Sequence, residues 1–330
     1  MQSNQPNTWR RVLGCLAVTI GLAGCDAVVD DTVYMKMGHD LDRSTPVHKA
    51  MVHMADRLHE LSDGSVQLEV YSNGQLGSER ELIELLQIGS LAMTKVSASP
   101  MESFVPEMKV FSLPYVFRDH EHFWNFLDSD AGIKMLQSGA DVGLRGLGYY
   151  DAGSRSFYTV NKQVETPEDL AGMKIRVQES QTSMAMVRSL GGSPTPVSWG
   201  ELYTALSQGV VDGAENNPPS FFLSKHYEVA KFYSLNEHTY VPDVVLISNY
   251  VWTSLDEQQQ AWLQQAMDES VSYQKELWAE ATEHALEEVQ KAGVEVVYPD
   301  KAPFMERVEP MHEELRGEPV YELLQQIKSM

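Results

Sequence analysis

Cysteine is nearly absent from this chain: there are two in 330 residues, Cys15 and Cys25. Both fall within the first 25 residues, so the remainder can hold no disulfide and must draw its stability from a packed core. Positive charge is also scarce, with 25 Lys and Arg against 47 Asp and Glu and a formal net charge of -22. That field repels phosphate backbones and anionic lipid surfaces, which excludes nucleic acid and direct membrane-surface binding. Beyond the N-terminal stretch there is no apolar run long enough for a membrane span. Signatures of catalysis are missing too. The sequence has no His-Glu-x-x-His zinc helix, no Gly-x-Ser-x-Gly elbow and no Walker phosphate loop, and Gly146-Leu147-Gly148 lacks the third glycine of a dinucleotide site. His120 and His122 diverge by about 200° on a helix and do not converge on a metal. The acidic run Glu280, Glu283, Glu287 and Glu288 reads as a solvated helix face. The expectation is a protein that is not an enzyme and carries neither metal nor cofactor.

What is present fits an exported α/β protein. Hydrophobic residues make up 43% of the chain, enough for two ordinary domains each with its own core. Arg10 and Arg11 precede an apolar stretch from Val12 to Ala23, and Leu22-Ala23-Gly24-Cys25 has the form of a lipobox. Residues 1–25 therefore read as a signal peptide, with Cys25 as the lipidation site. The alternative is an ordinary signal cleaved nearby, with Cys25 incidental. Asp26 after the cysteine resembles the retention signal of inner-membrane lipoproteins, which predicts a periplasmic protein tethered to that membrane by lipid alone.

Period-two alternation predicts strands at 32–38, 66–70 and 91–95, with helices opened by Pro46 and by the capping pair Ser78 and Glu81 between them. This β-α-β-α-β order predicts a mainly parallel sheet covered by helices. Residues 104–117, broken by Pro106 and Pro114, read as a buried irregular connector. Strands at 144–150 and 156–160 flank Asp151-Ala152-Gly153, a crossover between domains. A second alternating region starts at Met173, with strands at 173–177, near 195–197 and at 244–248. A helix from Asp256 to about Ala292 would span roughly 50 Å, and the tail from Ala302 holds two amphipathic helices.

Polar residues at strand ends are the candidate site, because open α/β sheets bind ligands beyond the carboxyl ends of their strands. Arg176 lies near the end of its strand, where a guanidinium can grip a planar anion through two parallel hydrogen bonds. Arg155 lies beside the crossover, and Asn216 can both donate and accept. Each also has a purely structural use, as a surface arginine paired with an acid or an asparagine filling a turn.

Five segments carry a resemblance that covers nearly the whole mature chain. They are Asn73-Gly74-Gln75-Leu76-Gly77, Leu113-Pro114-Tyr115-Val116-Phe117-Arg118, Gly172-Met173-Lys174-Ile175-Arg176, Tyr203-Thr204-Ala205-Leu206 and Val211-Asp212-Gly213-Ala214-Glu215-Asn216. Together they resemble the DctP-type solute-binding proteins of tripartite ATP-independent periplasmic (TRAP) transporters. The resemblance implies a two-lobed, type II-like periplasmic binding protein with mixed, mainly parallel sheets, crossing hinge strands and a long lobe-spanning helix. It implies one lobe from residues 33–152 plus 242–281 and another from 153–241 plus 282–330. By the same resemblance, Arg176 grips a ligand carboxylate, Arg155 is a second cation, Asn216 completes the anion site and Trp199 packs on the ligand. Ser97 stands where sialate-binding relatives have a glutamate, which speaks against sialate. Asn217 replaces a common proline and adds a polar contact. His39, Glu79, Lys95 and His238 are further pocket candidates. The Glu-Asn-Asn run with Met93-Thr94-Lys95-Val96-Ser97 looks most like members that take sugar acids, especially hexuronates such as glucuronate or galacturonate. The implied partner is a TRAP membrane permease. Still open are a binder of C4-dicarboxylates or small hydroxy acids, in which Lys95 answers a second carboxylate, and a ligand-sensing periplasmic lipoprotein. A periplasmic enzyme acting on acidic sugars would need a converging carboxylate pair or nucleophile, and none is recognisable.

Overall fold

A computed structural model describes residues 32–330. The expected signal peptide and lipobox, with Cys25, lie outside the described residues. Eleven strands form two sheets: β1 (Val33–Gly38), β2 (Val66–Tyr71), β3 (Met93–Ser97), β4 (Leu144–Tyr150), β5 (Ser154–Thr159), β6 (Lys174–Val177), β7 (Ser193–Pro196), β8 (Gly213–Asn216), β9 (Phe232–Tyr240), β10 (Asp243–Ser248) and β11 (Glu295–Val297). The first sheet runs β2-β1-β3-β10-β4 and the second β11-β9-β5-β8-β6-β7.

In the first sheet, β1 pairs in parallel with β2 and β3, as the helical crossovers Pro46–Leu61 and Glu79–Gln87 between the strands allow. Both helices start where the sequence places them. Thr45 accepts from the amide of His48, and Glu81 Oε2 accepts from the Ser78 amide at 2.8 Å. The sheet is mixed because β10 enters antiparallel between β3 and β4. β10 arrives from the other lobe directly after β9, so its direction is set by the crossing. The connector 104–117 is buried, as expected, and contains a 3-10 segment, Pro106–Ser112, that seats Met108, Val110 and Phe111 in the first lobe's core.

Two strand pairs cross between the sheets: β4 into β5 through Asp151–Gly153, and β9 into β10 through Val241 and Pro242. Gly153 has φ +57°, a left-handed conformation that glycine adopts without steric cost. The third crossing is the helix Glu257–Lys291, capped by Asp256, whose carboxylate accepts from the Gln259 amide at 2.8 Å. Its 35 residues span about 52 Å. Leu263, Ala266 and Met267 pack in the first lobe's core, and Val289 packs in the second's.

The tail departs from the expected boundary. The helix Ala302–Glu314 packs Phe304, Val308 and Met311 into the second lobe, but the last helix, Pro319–Ser329, returns Val320, Leu324 and Ile327 to the first. His122 Nε2 holds that return by bonding to the Ile327 carbonyl at 2.9 Å. His120 bonds Asp151 Oδ2 at 2.6 Å at the hinge. The two histidines do diverge, each to a structural partner.

Candidate ligand-binding cleft

A cleft of about 840 Å³, counting the part open to solvent, lies between the two sheets. Its second-lobe wall comes from three adjacent strands, β5, β8 and β6, which carry Arg155, Asn216 and Arg176.

Arg176 is placed by alternation. Ile175 and Val177 enter the apolar core on one face of the sheet, so Arg176 turns to the other. Its residue is 2% exposed, Nε donates to the Val197 carbonyl at 2.8 Å, and the guanidinium carbon lies 5.8 Å from the Trp199 ring centre. Among the described residues, no carboxylate forms an ion pair with it, and its buried Nη1 has no hydrogen-bond partner. Burial pulls its pKa below the ordinary arginine value. Behind Trp199, burial and the neighbouring Arg176 charge hold His226 neutral, with its pKa down at about 3.

Arg155 lies inside β5, which starts two residues before the sequence pattern placed it, and it is already paired. Nε and Nη2 fork onto the Glu215 carboxylate, Nη2 also reaches the Glu215 carbonyl at 2.9 Å, and Nη1 donates to Asn216 Oδ1 at 2.9 Å. Burial alone would raise the Glu215 carboxyl, but Arg155 beside it holds it at about 2. Arg155 is therefore a neutralised cation with one Nη1 hydrogen left over. Asn216 Oδ1 accepts from both Arg155 and the Asn217 amide, so the acceptor role suggested by its chemistry is spent inward. Its Nδ2 remains as a donor. Asn217 Oδ1 caps the following helix through the Ser220 amide at 2.8 Å, leaving its Nδ2 likewise.

The first-lobe wall is acidic. Lys95 Nζ bonds Glu79 Oε1 at 3.1 Å and Asp243 Oδ1 at 3.2 Å. The Ser97 amide donates to Glu79 Oε1 and its hydroxyl to Asp243 Oδ1. Burial would lower the Lys95 ammonium, but Asp243, Glu79 and Asp40 hold it above the ordinary lysine value. Asp40 faces the same space; its Oδ1 is buried and unpartnered, and burial with Glu79 nearby pushes its carboxyl up to about 7.

Arg176, Arg155, Asn216 and Trp199 thus share the cleft with Glu79, Lys95, Ser97 and Asn217. His39 and His238, expected beside them, stand one layer back. His39 accepts from the Leu41 amide on Nδ1 and shares Nε2 with His48 at 2.9 Å, which fixes the loop that presents Asp40. Burial, with Lys95 and His48 nearby, holds its pKa at about 3. His238 stacks on Phe157, bonds Asn236, and sits 3.6 Å from Glu215, behind Arg155. Sequence reasoning missed Asp40, Asp243, Gln178 and Trp278, all on the cleft wall. Asp40 and Asp243 each stand next to an interlobe-facing strand end, the one available signal.

Two α/β lobes joined by crossing strands, with a buried cation on the cleft wall that pairs with no carboxylate among the described residues, are the architecture of a solute-binding protein. The family described as bacterial extracellular solute-binding protein, family 7 (DctP), matches residues 37–318, and the chain belongs to it. Among solved structures it is similar to a TRAP periplasmic solute-binding protein from Bradyrhizobium sp. BTAi1 in complex with α/β-D-galacturonate. Identity is 40%, coverage 90% of this chain and 99% of that one, and TM-score 0.87. It is also similar to one from Roseobacter denitrificans with bound β-D-glucuronate, at 35% identity, 90% and 99% coverage and TM-score 0.88. A curated relative, the C4-dicarboxylate-binding periplasmic protein DctP of Rhodobacter capsulatus, is 31% identical over 93% of this chain and 94% of its own length. The chain is thus an extracytoplasmic binding protein, and no helix among the described residues is long and apolar enough to cross a membrane.

Proposed function

We propose that this protein captures a sugar acid, a hexuronate such as D-glucuronate or D-galacturonate, and delivers it to the membrane permease of a TRAP transporter. The carrying observation is Arg176, a buried guanidinium with an unpartnered Nη1 and no carboxylate of its own, on the wall of a cleft that both lobes line. A charge so placed is costly to bury unless a ligand supplies the counter-charge. The ligand carboxylate would sit on Arg176, with the Nδ2 groups of Asn216 and Asn217 and the remaining Arg155 hydrogen as further donors. The first-lobe carboxylates suit hydroxyl donors, and Trp199 offers an apolar face to a sugar ring. Hexuronates in similar structures support the same class of ligand. Lobe closure is favoured by the contacts that only the closed state makes. Nothing in this mechanism makes or breaks a bond in the ligand.

Lys95, offered above as the answer to a second carboxylate, is already paired with Glu79 and Asp243, which favours the sugar acid over a dicarboxylate. We further propose that Cys25 is lipidated and tethers the protein to the inner membrane. A thermal-shift and calorimetric screen of organic acids tests the ligand, since binding raises apparent stability by mass action. Hexuronates should give the largest shift, and no shift with any hexuronate at millimolar concentration would refute the assignment. Cys25→Ser should release the protein from membranes; a wild type already soluble in the periplasm would end the tether.

A further inference from the structure

The two walls of the cleft carry opposite charge. On the second-lobe wall, Arg155 is cancelled by Glu215 and Arg176 stands alone. On the first-lobe wall, Asp40, Glu79 and Asp243 surround one ammonium, Lys95. The first wall stays net negative whether or not Asp40 carries a proton. Two charged groups at the mouth do not alter this: Arg80 pairs with Glu84 at 3.2 Å, and Glu179 adds another acid. Lys95 is 2% exposed and spends its bonds on the acids. Ser97 spends both its amide and its hydroxyl there too.

We infer that the Asp40–Glu79–Asp243 wall is the specificity element of the cleft, reading hydroxyl donors and rejecting any ligand that brings a second carboxylate. The inference rests on the sugar-acid reading and narrows it to monoanions. A hydroxyl reaching this wall finds carboxylate oxygens that the Lys95 and Ser97 bonds leave over, Glu79 Oε2 and Asp243 Oδ2, with Asp40 beside them. A carboxylate in the same place finds like charge and no unspent cation, and such juxtaposition is a strong means of discrimination. The point is not settled by family membership, since a dicarboxylate binder is among the relatives.

The experiment compares D-galacturonate with galactarate, the six-carbon diacid of the same hydroxyl pattern, and with succinate, by isothermal titration at one pH and ionic strength. The diacids should bind at least about 100-fold more weakly than galacturonate. In Asp40→Asn and, separately, Glu79→Gln, which keep size and one acceptor oxygen while removing the charge, the ratio of galactarate to galacturonate Kd should narrow by about tenfold or more. That ratio is insensitive to a general loosening of the site, which weakens both ligands alike. Galactarate binding within about threefold of galacturonate in the wild type overturns the inference and leaves the sugar-acid reading intact. Rejection of galactarate that neither substitution relaxes overturns the role given to this wall. Binding of neither acid overturns the sugar-acid reading, and the inference falls with it.

Discussion

Replacing Arg176 with methionine should weaken ligand binding severely while leaving the empty protein as stable as before, or more so. On the ligand side, truncating one partner of a buried, hydrogen-bonded ion pair costs about 2–5 kcal/mol, or roughly 30- to 4,000-fold in Kd. On the empty side, the substitution removes the Nε bond to the Val197 carbonyl, worth about 1 kcal/mol. It also removes a guanidinium that is buried without a counter-ion, whose desolvation costs several kcal/mol. Methionine fills most of the same volume beside Trp199 and adapts to an irregular space. The balance favours the variant, and for a chain of this size each kcal/mol moves Tm by about 2 °C. Differential scanning calorimetry with and without saturating galacturonate reads both sides. Arg176→Lys keeps the charge but loses the fork, and should still weaken binding at least about tenfold. A fall of more than about 5 °C in the empty Arg176→Met protein, with the ligand-induced shift retained, would show that this arginine is a structural brace.

Two further outcomes follow from buried polar groups. His39 and His226 are held neutral, with pKa values near 3 against 6.5 for the free group, chiefly by burial. Their contribution is intact above pH 6.5 and is lost as pH falls through the range toward 3, because the unfolded chain takes up protons that the native one refuses. Each such proton contributes about 1.4 kcal/mol per pH unit, so urea midpoints should fall between pH 7 and 5, and less steeply in His226→Gln; equal slopes would refute this. Glu102, from the first lobe, accepts from the Thr182 amide at 3.0 Å, at the N-terminus of the second-lobe helix Gln181–Ser189. Removing its charge in Glu102→Gln should accelerate ligand dissociation about 3- to 10-fold by stopped flow with association unchanged; an unaltered off-rate would show that this contact does not latch the lobes.

The parts of the fold legible in the sequence are those decided locally. The Ser78–Glu81 cap, the alternation of β1 and β2 and the long helix each depend on residues within a few positions of one another. β9 escaped because both of its faces are covered, and its buried positions include Ser234, Asn236 and His238, so no apolar period survives. β8 has only four residues, too few to show a period. The last helix reads as amphipathic, but nothing in its pattern says which lobe its apolar face meets. The site divides in the same way. Arg176 was legible because Lys174-Ile175-Arg176-Val177 alternates and sets a cation near the end of its strand. Asp40 and Asp243 were not, because an isolated aspartate at a strand end also reads as a turn residue. Only the antiparallel register that sets Asp243 opposite Ser97 brings it beside Lys95 and turns three separate acids into a wall.

An anion receptor with a formal charge of -22 poses a problem of range. The overall field should repel the ligand at distance, while Arg176 attracts it only inside the cleft, where water no longer screens. The two contributions respond differently to salt. Repulsion acts across the Debye length, about 30 Å at 0.01 M and 10 Å at 0.1 M, whereas a buried contact is screened little. Raising ionic strength from 0.01 to 0.3 M should therefore speed association by about two- to fivefold and leave dissociation nearly unchanged. Affinity should then improve with salt, the reverse of a receptor that steers its ligand with a positive surface. Stopped-flow tryptophan fluorescence can follow both rates, since Trp199 and Trp278 line the cleft. If association instead slows with salt, the cleft's own potential reaches into solvent and dominates the approach, and the division between a repelling surface and a buried, short-range cation is wrong.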